Sequence, residues 1–432
     1  MVMAAIHYSP TTTRWRWKCR RHQHGQLSTT VLILCVLLLV LAVAPRGCLA
    51  YEELSDAALR SIPGGGFSDF DAATGALLAP LLIPRVPGTA GSAAAQRHIA
   101  GFFARELPAW TLLWHNSTSK TPATGDVDVP FASMIFRRDP PWTTAKGGSG
   151  SGDVARLTLA AHYDSLHQPA GFIGATDSAA PCAMLMHVAR TIDEALTRKW
   201  DDLEASGMAG LDEERGVQIL FLDGEEAWAT WSATDSLYGA RALAEAWEAE
   251  AHPARSAYRN PLDAIELFVL LDLLGAADPS VPSYFGATHW AYQGLARVEA
   301  RLRAAGQLAS APSLGPQGQE RRWLGDADKL PSQLAGRGYI QDDHVPFMAR
   351  GVPVLHVIPS PFPAVWHRME DDGAHLDPAA VADWAKIVAA FVAEWMELDG
   401  FIEHTAVAVA KRRGEDGDAA SAGTRGRDKS EL

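Results

Sequence analysis

Val154-Ala155-Arg156-Leu157-Thr158-Leu159-Ala160-Ala161 runs without a break into His162-Tyr163-Asp164-Ser165. A nearly continuous apolar run of this kind suits a strand covered on both faces, as in a mostly parallel sheet. Three later runs repeat the pattern. Val217–Leu222 leads into Asp223-Gly224-Glu225-Glu226, Glu266–Leu271 into Asp272, and Val352–Ile358 through a proline-rich loop into Trp366-His367. An earlier strand is expected over Val129–Phe136, followed by a glycine- and serine-rich loop from Gly147 to Gly152.

Helical periodicity fills the gaps, over Ala94–Leu107, Ala183–Lys199, Tyr238–Ala249 and Trp290–Ala304. The last helix is the clearest. Asp377 can cap it and Pro378 suits its first turn. Val381, Trp384, Val388, Phe391, Trp395 and Leu398 then follow at three- and four-residue steps, and Gly400 can end it. Those aromatics read as core. The alternation of strands and helices predicts one α/β domain over residues 51–412, with a mostly parallel central sheet.

Ligands of open α/β sheets bind outside the carboxyl ends of the strands. Turn or capping roles explain one acid after a strand, but not an acid or imidazole after four of them. Asp177, Glu226 and His367 make a plausible metal set, two oxygens and one nitrogen, which suits zinc and leaves a fourth position for substrate. His289 and His356 read as structural. Glu225 and Glu226 are adjacent carboxylates on a glycine turn, which repel each other unless a cation or a proton is shared. If Glu226 holds a metal, Glu225 lies beside the open position, where a general acid/base belongs. An exposed acidic turn is the plainer reading of that pair taken alone.

Composition sets the outer limits. The chain has 432 residues, of which 47% are hydrophobic and 21% charged, ordinary values for a globular protein. A net charge of -13 argues against nucleic acid as a partner, because phosphate binding needs clustered Lys and Arg. Arg14, Arg16, Lys18, Arg20 and Arg21 precede an apolar run from Val31 to Ala44, with a small-residue cleavage site at Cys48-Leu49-Ala50. The run suits a signal-peptide core, and the long basic region leaves an uncleaved signal anchor open. Asn116-Ser117-Thr118 is a glycosylation sequon, and Lys429-Ser430-Glu431-Leu432 is one substitution from a lumenal retention signal. Both agree with an address in the secretory lumen or outside the cell. Cys19, Cys35 and Cys48 fall in the targeting segment, so Cys182 alone remains and no internal disulfide is expected. From Gly414 onward the charged, glycine-rich chain reads as a disordered tail, with the tail's start set at residue 413.

Six segments carry a family resemblance. Gly174-Ala175-Thr176-Asp177-Ser178-Ala179, Asp223-Gly224-Glu225-Glu226-Ala227, Asp235-Ser236-Leu237-Tyr238-Gly239 and Leu271-Asp272-Leu273-Leu274-Gly275-Ala276 come first. Ile340-Gln341-Asp342-Asp343-His344 and Pro359-Ser360-Pro361-Phe362-Pro363 with Trp366-His367 complete the set. In this order, from about residue 85 to 400, they resemble the animal-type zinc-dependent glutaminyl cyclases, within the wider zinc aminopeptidase superfamily. The Glu-Glu and strand-end pattern would fit any zinc aminopeptidase, whereas the last two segments are far more specific to the cyclases.

The resemblance implies a central mixed sheet of about six strands with helices on both faces. It implies one zinc held by Asp177, Glu226 and His367, Glu225 as proton shuttle, and Asp272 with Asp342 supporting the reacting amide. Gln341, Trp231, Phe362 and Trp366 are then pocket residues. The implied substrates are peptides or proteins with N-terminal glutamine, with glutamate left open, and a monomer is expected. Animal members pair a cysteine just before the His-Tyr-Asp segment with one in the helix after the metal aspartate. Here Cys182 fills the second place and Ala161 the first, so that disulfide is missing.

Two rivals stay open on sequence alone. His162 and Asp272 stand where a two-zinc aminopeptidase would place further ligands. A catalytically inactive binding ectodomain is the other, because fold does not establish function.

Overall fold

The computed structural model describes residues 53–402, apart from 145–150, 212–213, 312, 316–317 and 337. The proposed leader, the C-terminal tail with its last four residues, and most of the glycine- and serine-rich loop lie outside the described residues.

Six strands form one mixed sheet: β1 (Thr111–Lys120), β2 (Asp128–Arg138), β3 (Val154–His162), β4 (Glu214–Leu222), β5 (Ile265–Leu271) and β6 (Val354–Val357). Their spatial order is β1-β2-β4-β3-β5-β6. β3 pairs in parallel with β4 and β5, and β5 with β6, while β2 runs antiparallel to both β1 and β4. The four apolar runs are therefore the four parallel strands, and every residue of β3 is buried.

Five long helices cover the sheet: α1 (Ala90–Glu106), α2 (Ala180–Ala205), α3 (Tyr238–Ala249), α4 (His289–Ala304) and α5 (Pro378–Trp395). Side chains alternate across a strand, so each one feeds two cores. Leu157, Leu159, Val217, Ile219, Phe221, Leu267 and Val269 pack on the side of α1, α2, α4 and α5. Ala160, Leu220, Leu222, Phe268 and Leu270 pack on the side of α3, against Leu243 and Trp247. In α5, Val381, Trp384, Val388, Phe391 and Trp395 are all buried, as is Leu398 just beyond its end. Asp377 caps it by accepting the Ala380 N–H at 2.8 Å.

The elements differ from expectation in three places. β1 was not foreseen, because it is an edge strand whose side chains are exposed or half-buried and whose sequence carries no apolar alternation. α2 begins at Ala180 and is preceded by a kinked π-type turn over Ala175–Ala179, so its first turn belongs to the loop that carries Asp177. β6 is confined to four residues, following Pro353, whose carbonyl accepts from Phe268 N at 2.8 Å. Among the described residues no helix is long and apolar enough to cross a membrane.

Candidate active site

The carboxyl ends of β3, β4, β5 and β6 point to one side of the sheet; Asp177, Glu225, Glu226, Trp231, Asp272, Phe362, Trp366 and His367 arrive on the loops that follow them, and Gln341 and Asp342 on the segment between α4 and β6. A cavity of about 310 Å³ lies over those ends. Asp177, Glu225, Glu226, Trp231, Asp272, Gln341, Phe362, Trp366 and His367 all line it. Of the expected site residues, Asp342 is the one outside this lining; it is buried beneath it.

The loop carrying Asp177 is closely determined. Gly174 sits at φ +62, and a Cβ there would fall 2.0 Å from the Asp177 carbonyl oxygen. Beneath the loop Arg85 is fully buried and donates to the carbonyls of Leu81, Ile83, Tyr163 and Ile173 at 2.6–3.0 Å, and to that of Gly174 at 3.2 Å. Asp371 accepts from the Thr176 backbone N–H at 2.8 Å and its hydroxyl at 3.0 Å.

The turn after β4 is fixed just as tightly. Gly224 adopts φ +74, and a Cβ would strike the Phe131 ring at 2.3 Å. Asp223 ties the turn to β2 by accepting the Ala132 N–H at 2.8 Å. Asp164 accepts the next two backbone N–H groups, so Glu225 and Glu226 keep both carboxylates free for the cavity. Burial holds the Glu225 carboxyl well above its ordinary range; Glu226, Asp342 and Asp343 reinforce this and His162 opposes it.

Asp177, Glu226 and His367 converge. His367 Nε2 lies 3.5 Å from Asp177 Oδ2 and 3.7 Å from Glu226 Oε2. Zinc donors at about 2.0–2.2 Å in a tetrahedron stand roughly 3.3–3.6 Å from one another, so these atoms fit one ion. Two further observations agree. Glu226 Oε1 is buried without a hydrogen-bond partner. Burial lowers the His367 pKa against the pull of Asp177 and Asp272, which favours the neutral imidazole a metal requires.

A second donor group is His162, Asp177 and Asp272. His162 Nε2 is 3.0 Å from Asp177 Oδ1 and 3.4 Å from Asp272 Oδ1. Asp272 Oδ1 also accepts the Leu273 N–H at 2.8 Å and a short bond from the Ser178 hydroxyl. Burial disfavours charge on His162, but Asp164, Asp177 and Asp272 outweigh it and raise its pKa well above the usual value. Asp272 is lowered because His162 and Ser178 overcome its burial, while Asp342 is raised by burial and by the Asp272 charge.

One expectation needs amending. His356, read as purely structural, places Nε2 2.7 Å from Asp342 Oδ2 and belongs to the site's support. His289 is structural as expected, held by Ser283 at 2.8 Å and the Lys329 carbonyl at 2.7 Å. Asp164, Ser178 and Arg85 were not singled out, although Asp164 and Ser178 stand inside the quoted segments. Cys182 is a free, buried thiol that donates to the His162 carbonyl at 3.1 Å, and burial pushes its pKa up to about 12.

The aromatic wall has its own order. Trp231 Nε1 donates to Gln341 Oε1 at 3.2 Å, and Trp366 stacks on His367 with ring centroids 4.0 Å apart. Phe362 meets Trp366 edge-on at 4.7 Å.

A mostly parallel sheet with a metal-competent carboxylate and histidine set at its strand ends is the arrangement of the zinc-dependent exopeptidase fold. Peptidase family M28 matches residues 144–392. Glutaminyl-peptide cyclotransferase from Bos taurus is 38% identical over 325 residues, covering 74% of this chain and 81% of its own. Glutaminyl-peptide cyclotransferase-like protein from Mus musculus is 38% identical over 348 residues, 80% of each chain. The crystal structure of Macrostomum lignano glutaminyl cyclase superposes with a TM-score of 0.62 at 28% identity, covering 81% of this chain and 96% of that one. The chain belongs to the glutaminyl-peptide cyclotransferase family, within peptidase family M28.

Proposed function

We propose that this protein is a glutaminyl-peptide cyclotransferase, closing N-terminal glutamine of peptides and proteins into pyroglutamate with release of ammonia. The observation that carries the reading is the placement of Glu225 in the same cavity as the Asp177, Glu226 and His367 donor set, beside an indole held by Gln341. Asp177, Glu226 and His367 hold one zinc per chain. When bound, the ion supplies a Lewis acid that polarises the γ-carbonyl and balances developing oxyanion charge.

The chain's own residues do the rest. The neutral α-amine forms a bond to its own γ-carbonyl carbon, and the bond from that carbon to the amide nitrogen breaks. The Glu225 carboxylate takes a proton from the attacking amine and returns it to the departing nitrogen, so ammonia leaves and no proton is gained or lost overall. Asp272, with Asp342 buried behind the cavity lining, supports the reacting amide in line with the amine. Trp231, Phe362 and Trp366 exclude water, and Gln341 fixes Trp231. Because the nucleophile is part of the substrate, orientation supplies much of the rate.

A two-zinc aminopeptidase is the second reading, and the spacing of His162, Asp177 and Asp272 favours it. Against it, Asp272 Oδ1 already accepts from Ser178 and Leu273. The protein works as a monomer in the secretory lumen or outside the cell, on peptides that begin with glutamine. It touches a membrane only if its leader is kept as an anchor. The deciding experiment offers a glutamine-initiated peptide and leucine-β-naphthylamide to the purified protein. Ammonia and a pyroglutamyl product from the first, with no naphthylamine from the second, is the expected result; the reverse pattern refutes the cyclase.

A further inference from the structure

Resting on the cyclase reading, we infer that the substrate's second residue is bound in a groove beside the reaction cavity, and that Trp228 makes this site prefer a large apolar side chain there. The groove holds about 500 Å³ and shares Glu226, Trp231, Trp366 and His367 with the reaction cavity. A second neighbouring cavity, about 360 Å³ over Pro359–Val365, shares only Phe362 with it. A glutamine seated with its side chain inward must send its peptide chain out across an open rim. Four residues of shared rim lead into the groove, whereas Phe362 alone is common to the reaction cavity and the other one.

The groove is built to receive an apolar group. Trp231 and Trp366 stand over it with 37% and 39% of their surfaces exposed, which is apolar area with nothing covering it. Trp228 forms its floor, stacked on His167 with ring centroids 4.7 Å apart. Below, Trp228 joins a small core with Val129, Phe131 and Tyr238, so the indole has no room to turn away. The backbone of this wall is rigid. Asp235 accepts the N–H groups of Trp228, Ala229 and Thr230 at 2.8–2.9 Å and the Tyr238 hydroxyl at 2.8 Å. Apart from the inferred metal ligands Glu226 and His367, the groove's lining carries no charged side chain. A prearranged aromatic floor binds a ring with little ordering cost.

The test compares Gln-Phe-amide, Gln-Gly-amide and glutamine amide as substrates of the full enzyme, read as kcat/KM for ammonia release. Wild-type enzyme is expected to favour Gln-Phe-amide over Gln-Gly-amide by about tenfold, the usual scale of apolar pocket discrimination. Trp228→Ala should cut that ratio to about threefold or less, while glutamine amide stays within about twofold of wild type. Because Trp228 also supports the fold, exposed Ala229→Trp is the second variant: it fills the groove and should selectively slow Gln-Phe-amide. Equal wild-type efficiency on all three substrates, or a uniform loss in Ala229→Trp, overturns the groove and leaves the cyclase intact. Failure to release ammonia from any of them refutes the cyclase reading itself.

Discussion

Asp164 accepts the backbone N–H of Glu225 at 3.1 Å with one carboxylate oxygen and that of Glu226 at 3.2 Å with the other. One buried acid from the end of β3 thereby positions the two working acids at the end of β4. The bond leaves both glutamate side chains free and orients them together. Asp164→Ala removes two charge-assisted bonds at once and leaves two buried N–H groups unpaired. A destabilisation of about 2–4 kcal/mol is expected, with loss of zinc during dialysis. Urea denaturation and metal content of the same preparation check both.

Glu225→Gln keeps the size of the side chain and removes the proton shuttle. Zinc content should match wild type, while kcat falls by roughly 100-fold or more with little change in KM. Unaltered kcat removes Glu225 from the shuttle role. Loss of metal shows instead that it belongs with Asp177, Glu226 and His367.

His356 supports Asp342 at 2.7 Å from within β6 and does not line the cavity. His356→Ala should lower kcat by about tenfold through misplacement of Asp342, leaving zinc stoichiometry unchanged. Steady-state kinetics that show a KM effect alone contradict a positioning role.

The contrast between Asp164 and His356 shows what can be read from a chain like this one. Buried parallel strands announce themselves as apolar runs, so the strand ends and the acids beyond them were legible, as was the Asp377 cap of α5. β1 was not, because an edge strand is paired on one side and its Trp114-His115-Asn116-Ser117 stretch has no apolar period. His356 sits inside a strand in which every residue is buried, and it looks like any core histidine until Asp342 arrives from a loop fourteen residues earlier. Asp164 and Arg85 act on backbone groups of other segments, a relation that no local pattern encodes.

Glu394, far from the site, carries a pH dependence of stability. It is buried, accepts the Leu54 N–H at 3.1 Å and pairs with Arg301 at 3.1 Å. Burial nevertheless outweighs these partners and raises its pKa to about 7, from 4.5 for an exposed glutamate. The folded state therefore binds the proton more tightly than the unfolded chain. Stability from this group is full below pH 4.5 and is lost as pH rises through about 7. Glu394→Gln should abolish that loss, a gain of at most about 3 kcal/mol at pH 8. Thermal melts of both proteins at pH 5 and pH 8 check it, the difference between them growing with pH.

Asp177, Glu226 and His367 are spaced to grip a single ion between them. Elemental analysis of the purified chain, taken alongside ammonia release as chelator removes metal, tests it most directly. One zinc per chain is expected, with activity falling in proportion to zinc lost and returning when zinc is restored, and with most of the metal gone in His367→Ala. Full ammonia release from metal-free protein, or two tightly held ions per active chain, contradicts the account.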